Sequence, residues 1–214
     1  MSHYNETYFK YQKKIGSFGG LANKFKFQRF ISKDDYVLDY GCGGGFLLDQ
    51  LACKKKIGFE INNIAKKYLR ENFKFSVVDK MIELEDNSLD LVISNHCLEH
   101  VSNPINVISQ LYNKIKKNGK IVIYVPHDKY NYRFSNSDID NHYYSFSPSN
   151  LGNIIKECGF EIIESGTLLH RWPPFYLKIY KLFGLNIFHF LSRIYGLLDR
   201  RRTQSFVVGI KHGI

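Results

Sequence analysis

Tryptophan occurs once, methionine twice and proline five times in the 214 residues. The 15% aromatic content therefore rests on 15 Tyr and 17 Phe, within an ordinary 44% hydrophobic and 23% charged composition. That balance excludes a disordered chain and fits one packed domain with an appendage. The four cysteines, at 42, 53, 97 and 158, form neither a Cys-x-x-Cys pair nor a framework. They read as the reduced thiols of a cytoplasmic protein. No sequence period of the repeat-protein kind recurs, which excludes solenoids and propellers. The start, Met1-Ser-His-Tyr-Asn-Glu-Thr-Tyr8, has no apolar run of the signal-peptide type, so secretion by that route is not expected.

Acidic residues are the scarcer charge, 20 Asp+Glu against 30 Lys+Arg, for a net +10. The excess is local. From Arg171 onward eight Lys/Arg stand against the single Asp199, so this tail carries +7 of the +10. The body is nearly balanced, which disfavours nucleic acid as the partner of the main fold.

Residues 4–30 predict two short helices around a glycine loop at Gly16, Gly19 and Gly20. Short apolar runs then alternate with helical stripes. Strands are expected at 36–39, 56–60, 75–79, 89–94 and 120–125, the last stopped by Pro126. Helices are expected at 46–51, 64–72, 107–116 and 148–158, with further strands at 161–167 and 204–210. This alternation specifies an α/β fold, a mainly parallel sheet with helices on both faces.

The first strand runs into Asp39-Tyr-Gly41-Cys42-Gly43-Gly-Gly45. Glycines there admit positive φ and close backbone approach, and the following helix start offers free N–H donors. A bare glycine turn is weak evidence, because dinucleotide enzymes use a similar one. Glu60, 17 residues after Gly43 at the end of the second strand, is placed to accept both hydroxyls of a ribose. Val37-Leu-Asp-Tyr-Gly-Cys-Gly-Gly-Gly45, Gly58-Phe-Glu60, Asp79 and Leu89-Asp-Leu-Val-Ile-Ser-Asn-His-Cys-Leu-Glu-His-Val101 resemble the successive motifs of class I S-adenosylmethionine-dependent methyltransferases, over about residues 35–165.

The resemblance implies a Rossmann-like sheet of seven strands with the last antiparallel, and S-adenosylmethionine as cofactor. It implies that Gly41, Cys42 and Gly43 pack on the methionine part, and that Glu60 with Ile61 binds the ribose. Asp79, Lys80 and Met81 would lie near the adenine. Asn95 would close the methionine end, and Asp39 would orient the turn or meet the amino group through water. Tyr11-Gln12 and Gly16-x-Phe18-Gly-Gly20 are similar to a subgroup of surface-polysaccharide gene clusters, in which Tyr11, Gln12 and Gly20 would close over the cofactor.

His96-Cys-Leu-Glu-His100 spells the H-x-x-E-H signature of one zinc-protease class. Its place after strand four of a cofactor fold argues against that use, and no residue is assigned to a metal. Methyl transfer needs alignment, dryness and, for an alcohol acceptor, a base near neutral pH. The candidates are His142, in the His-x-Tyr-x-Phe run of 142–146, then His127, then His96. Ser94-Asn-His-Cys97 is not the Pro-Pro motif of exocyclic-amine methylation, and no Pro-Cys nucleophile is present. Oxygen is the acceptor atom that remains.

Arg171-Trp-Pro-Pro174 and 175–198 form an insert before the last strand, read as two basic amphipathic helices broken near Gly184. It is too charged for a membrane span. It predicts a roof or homodimer contact, or peripheral contact with an anionic membrane at the inner face. The expected organisation is an N-terminal helical cap (1–34), a cofactor domain (35–170 and 203–214) and this insert (171–202). The expected function is O-methylation of a sugar, nucleotide-linked sugar or phosphate-bearing glycan precursor. The alternatives are RNA or protein methylation, or a cofactor-binding subunit without catalysis.

Overall fold

In the computed structural model, residues 6–127, 133–136, 140–201 and 203–213 are described. The elements run α1 (Glu6–Phe27), β1 (Tyr36–Tyr40), α2 (Phe46–Gln50), β2 (Lys55–Phe59), α3 (Asn63–Asn72), β3 (Ser76–Val78) and β4 (Leu89–Asn95). They continue as α4 (Pro104–Lys114), β5 (Ile115–His127), α5 (Pro148–Glu157), β6 (Glu161–Leu168), α6 (Tyr176–Leu198) and β7 (Thr203–Ile210). The seven strands form one sheet in the order β3-β2-β1-β4-β5-β7-β6. β7 pairs antiparallel with both β5 and β6, and the other pairs are parallel. The sheet is the one the sequence motifs imply.

Alternation along the central strands builds two cores. Val37, Leu91, Ile93, Val122 and Val208 face one side and pack with Phe27 of α1 and Leu48 of α2. Leu38, Val92, Ile121, Ile123 and Val207 face the other and pack with Ile108 and Leu111 of α4 and Leu151 and Ile155 of α5. A period of two on strands buried on both faces explains the near-continuous apolar runs in the sequence.

Three expectations are corrected. The two N-terminal helices are one, α1, with no loop at its glycines. Those glycines form a contact face instead. A Cβ on Gly16 would stand 2.2 Å from the Phe46 ring, and one on Gly20 would stand 2.2 Å from the Phe46 carbonyl oxygen. Small residues here let α1 lie against α2. Strand five does not stop at Pro126 but reaches His127, opposite Thr203. Its pairing with β4 ends at Tyr124, so Pro126 falls where the strand has one neighbour and a missing N–H is tolerated. Finally, the helix expected at 107–116 is shifted: Leu98–His100 forms a single 3-10 turn after β4, and the helix ends at Lys114. The next helix begins at Pro104, capped by the Asn103 side chain, which accepts from Asn106 N.

The insert breaks where expected, with Gly184 at φ 76° inside α6. Tyr176 and Tyr180 before the break and Phe188 after it all bring their rings within 5.1–5.2 Å of Phe18 on α1. The insert is thus anchored to the helix that walls the site.

Candidate active site

The carboxyl ends of β1, β2 and β4 meet at the glycine turn. Gly41, Gly43 and Gly45 have φ of 79°, 53° and 76°, conformations that other residues adopt at a cost. Gly41 N and Cys42 N both donate to the Phe59 carbonyl, at 2.9 and 3.1 Å. A Cβ on Gly41 would meet the Cys97 sulfur at 2.2 Å. Glu60 holds the turn from the next strand: Oε2 accepts from Gly43 N and Oε1 from Asn62 N, both at 2.8 Å. Burial raises the Glu60 carboxyl pKa, and these N–H donors oppose that rise. Each carboxylate oxygen has a second lone-pair site for a hydroxyl donor.

Asp39 is buried beside the turn, and burial, with Glu60 second, pushes its carboxyl up to about 7. Burial also pushes up the thiols of Cys42 and Cys97, so neither is poised as a nucleophile.

Two hollows adjoin here and share Gly41, Gly43, His96 and His100 in their walls. The first, about 270 Å³, lies toward Glu60, Ile61 and Asn62. The second, about 510 Å³, is bounded by the glycine face of α1, by Asp39 and Asn95, and by Glu99, His142 and Trp172. Behind it Lys26 is 1% exposed, and its ammonium donates to Asn95 Oδ1 at 2.9 Å and Gln204 Oε1 at 2.6 Å. Burial lowers its pKa to about 7 against the opposing pull of Glu99.

The histidines separate. His96 sits at φ 56° after β4, with its N donating to the Tyr124 carbonyl at 2.8 Å. Its side chain keeps 38% of its surface, open to the hollows. Desolvating walls, with the Lys26 charge second, lower its pKa to about 3, and the open face limits how fully that desolvation acts before a ligand enters. It is held neutral. His142 lines the second hollow, its ring 4.9 Å from that of His100. His127 lines neither hollow. Its Nδ1 lies 3.3 Å from the Ser205 hydroxyl, which itself donates to the Phe146 carbonyl at 2.6 Å, so Nδ1 is the donor to Ser205.

Of the expected cofactor residues, Gly20, Asp39, Gly41, Cys42, Gly43, Glu60, Ile61 and Asn95 converge on the hollows. Asp79, Lys80 and Met81 line neither. Asp79 is ion-paired with Lys66, which holds its carboxyl pKa low. Lys80 N donates to Glu83 Oε1 at 2.9 Å, and Met81 packs on the core. The side chains of Tyr11 and Gln12 lie outside the described residues. Sequence reasoning missed Lys26, Trp172, Gln204, Glu99 and Asp140. The lone tryptophan was a signal for one of them. Nothing local marks Lys26 among the lysines of α1, since only tertiary packing buries it.

The arrangement is a glycine cradle with an acidic strand end beside two adjoining hollows, at the sheet edge where α/β folds bind their ligands. Residues 17–165, more than half of the chain, match a methyltransferase-domain family. The chain belongs to that family. It is 28% identical to a ubiquinone biosynthesis O-methyltransferase of Rickettsia canadensis, over 73% of this chain and 75% of the relative. It is 23% identical to phosphoethanolamine N-methyltransferase 2 of Caenorhabditis elegans over 64% of this chain, a match spanning only 31% of that relative's length. The fold matches a SAM-dependent methyltransferase from Archaeoglobus fulgidus with a TM-score of 0.67 and 22% identity, over 95% of this chain and 99% of that one. The chain is a class I methyltransferase with S-adenosylmethionine as its cofactor, and the cradle, closed to any side chain at Gly41, fits that molecule.

Proposed function

We propose that this enzyme methylates a hydroxyl oxygen on a sugar or sugar-bearing precursor of a surface glycan. The observation that carries the reading is the wall of the second hollow: His96, His100 and His142 line it, while no lysine or arginine does so among the described residues. A neutral hydroxyl-bearing group fits such a wall, and a phosphate or nucleotide portion would stay outside, near the basic insert. The kinship with an enzyme named as an O-methyltransferase supports oxygen as the acceptor atom.

Bound S-adenosylmethionine supplies a methyl group already activated on a sulfonium. The chain's own part is to hold and to align. Glu60 would take the ribose hydroxyls by charge-assisted hydrogen bonds, Asp39 the amino group, and Asn95, fixed by Lys26, the methionine end. Of the three ranked bases, His142 and His96 line the acceptor hollow; His142 would receive the proton, and His96, held neutral, would orient the hydroxyl. Trp172 and the glycine face of α1 exclude water from that side.

The insert supports a place of work. Ile187, Phe190, Ile194 and Leu197 form an exposed stripe at helical spacing, with Lys178, Lys181 and Arg193 also exposed. No described helix is long and apolar enough to cross a membrane. An apolar stripe with basic flanks complements an anionic membrane face, whereas a second copy of a +10 chain would meet like charge. We therefore place the enzyme in the cytoplasm, at the inner face of the membrane.

The test is methyl transfer to a panel of monosaccharides, nucleotide-linked sugars and lipid-linked sugars, read by S-adenosylhomocysteine release and by product mass. A base-stable methyl ether on a sugar supports the reading. Turnover confined to amine acceptors overturns it.

A further inference from the structure

Glu99, His100 and His142 each bring one ligand atom to within 4.8 Å of the others. Glu99 and His100 belong to the turn after β4, and His142 to the segment leading into α5. The backbone fixes their meeting, because Tyr143 N and Tyr144 N donate to the Glu99 carbonyl at 2.9 and 3.3 Å. The His100 Nδ1 lies 3.4 Å from the Asn141 carbonyl. A ring that gives Nδ1–H to a carbonyl keeps its lone pair on Nε2. That Nε2 stands 3.8 Å from Glu99 Oε1.

We propose that Glu99, His100 and His142 form a site for one divalent transition-metal ion of the zinc type, with its open position facing the second hollow. Two imidazoles and a carboxylate are the donor set of open zinc sites, in which a fourth position stays free for water or substrate. All three residues line the hollow where the acceptor is placed. With bonds of about 2.0–2.2 Å, tetrahedral ligands lie about 3.4 Å apart, so side-chain shifts of about 1 Å close the present spacing. Glu99 is 0% exposed, and a buried carboxylate is stabilised by a bound cation.

The sequence pattern H-x-x-E-H pointed to a different pair. His96 and His100 do not share a helix face, because His96 precedes the turn at positive φ. His142, distant in sequence, is the second imidazole of the cluster instead.

The role rests on the O-methylation reading. The ion would hold the acceptor hydroxyl and acidify it. With His142 then a ligand rather than the base, the proton leaves to solvent, the oxygen forms a bond to the methyl carbon, and the S–C bond breaks with its electron pair left on sulfur. The metal keeps its oxidation state throughout.

The test needs neither cofactor nor acceptor. Full-length protein is stripped with chelator, and Zn²⁺ alone and Mn²⁺ alone are titrated calorimetrically into wild type, His142→Ala and His100→Ala. Folding of each variant is checked by its thermal melt, with His142→Ala, which alters a surface segment, as the deciding one. The expected result is about one equivalent bound by wild type and at least about a tenfold loss in each variant. Binding well below one equivalent, or binding that His142→Ala leaves unchanged, overturns the proposal. If metal binding stands and no hydroxyl acceptor is found, the functional reading falls and the site remains.

Discussion

The ammonium of Lys26, buried in α1, donates to Oδ1 of Asn95 at the end of β4 at 2.9 Å. This bond links the N-terminal helix to the strand end that borders the second hollow. It also forces the lysine into surroundings that disfavour its charge.

Lys26 consequently carries a pH signature. Its pKa falls from 10.5 to about 7 in the folded chain, mainly through burial. Between those values the unfolded chain binds the proton and the folded chain does not, so stability rises with pH across that window. Near pH 8–9 unfolding should take up about one extra proton that Lys26→Met does not show. Urea melts of both proteins at pH 7, 8 and 9 compare the slopes. Parallel slopes would contradict a depressed lysine.

Glu60→Ala removes the carboxylate that bridges Gly43 N and Asn62 N. Loss of charge-assisted bonds to a ribose is worth about 1.5–3 kcal/mol, or about ten- to a hundredfold in affinity. Calorimetric titration with S-adenosylmethionine and S-adenosylhomocysteine should show that loss for both. The two ligands share the ribose, so an effect on only one would argue against this role.

Asp39 titrates near neutrality, raised to about 7 by burial and then by Glu60. In the proposed role its anion is the form that would attract the ammonium of S-adenosylmethionine. Affinity for S-adenosylmethionine should therefore climb as pH rises toward about 7 and level off above it. The ligand-free fold has the opposite sign: the proton is bound more tightly when folded, so this group's contribution is lost as pH rises from 3.8 to about 7. Asp39→Asn should flatten both dependences, measured by titration calorimetry and by thermal melts across pH 5–8.

The strands and the glycine turn were legible because both are local: apolar runs, turn residues and an acidic strand end lie close in sequence. Gly41, Gly43 and Glu60 stand at the strand ends that the apolar runs mark, on the walls of the hollows. What was not legible is what distant segments bring together. Gly16 and Gly20 look like loop residues until Phe46 is seen to occupy the space of their missing Cβ atoms. His127 stands at a strand end like a candidate base, yet its ring lines neither hollow and its Nδ1–H is hydrogen-bonded to Ser205, 78 residues on. Glu99, His100 and His142 are one cluster only because the residues just before α5 are hydrogen-bonded to the turn after β4.

Two glycines test that packing argument. In Gly20→Ala the added Cβ would collide with the Phe46 backbone, which cannot swing aside as a side chain can. The cost is about 1–3 kcal/mol, or roughly 2–4 °C in Tm for each kcal/mol. Gly152, in α5, has no atom within 4 Å of an added Cβ. Gly152→Ala should gain up to about 1 kcal/mol from helix propensity alone. Thermal melts that rank the two variants the other way would refute the close approach of α1 to α2.

The exposed stripe of α6 makes the last prediction. Ile187, Phe190 and Ile194 are exposed on successive turns, with Arg193 beside them. Burying such side chains in a membrane interface is worth about 25 cal/mol per Å² of apolar surface, and the basic residues add attraction that salt weakens. Wild type should float with phosphatidylglycerol-containing vesicles, bind neutral vesicles less, and release as salt rises. Phe190→Glu combined with Ile194→Glu should stay in solution while keeping S-adenosylmethionine affinity, since neither side chain lines the site. If wild type ignores vesicles and sediments as a dimer that the double variant dissociates, the stripe is a contact between copies and not a membrane face.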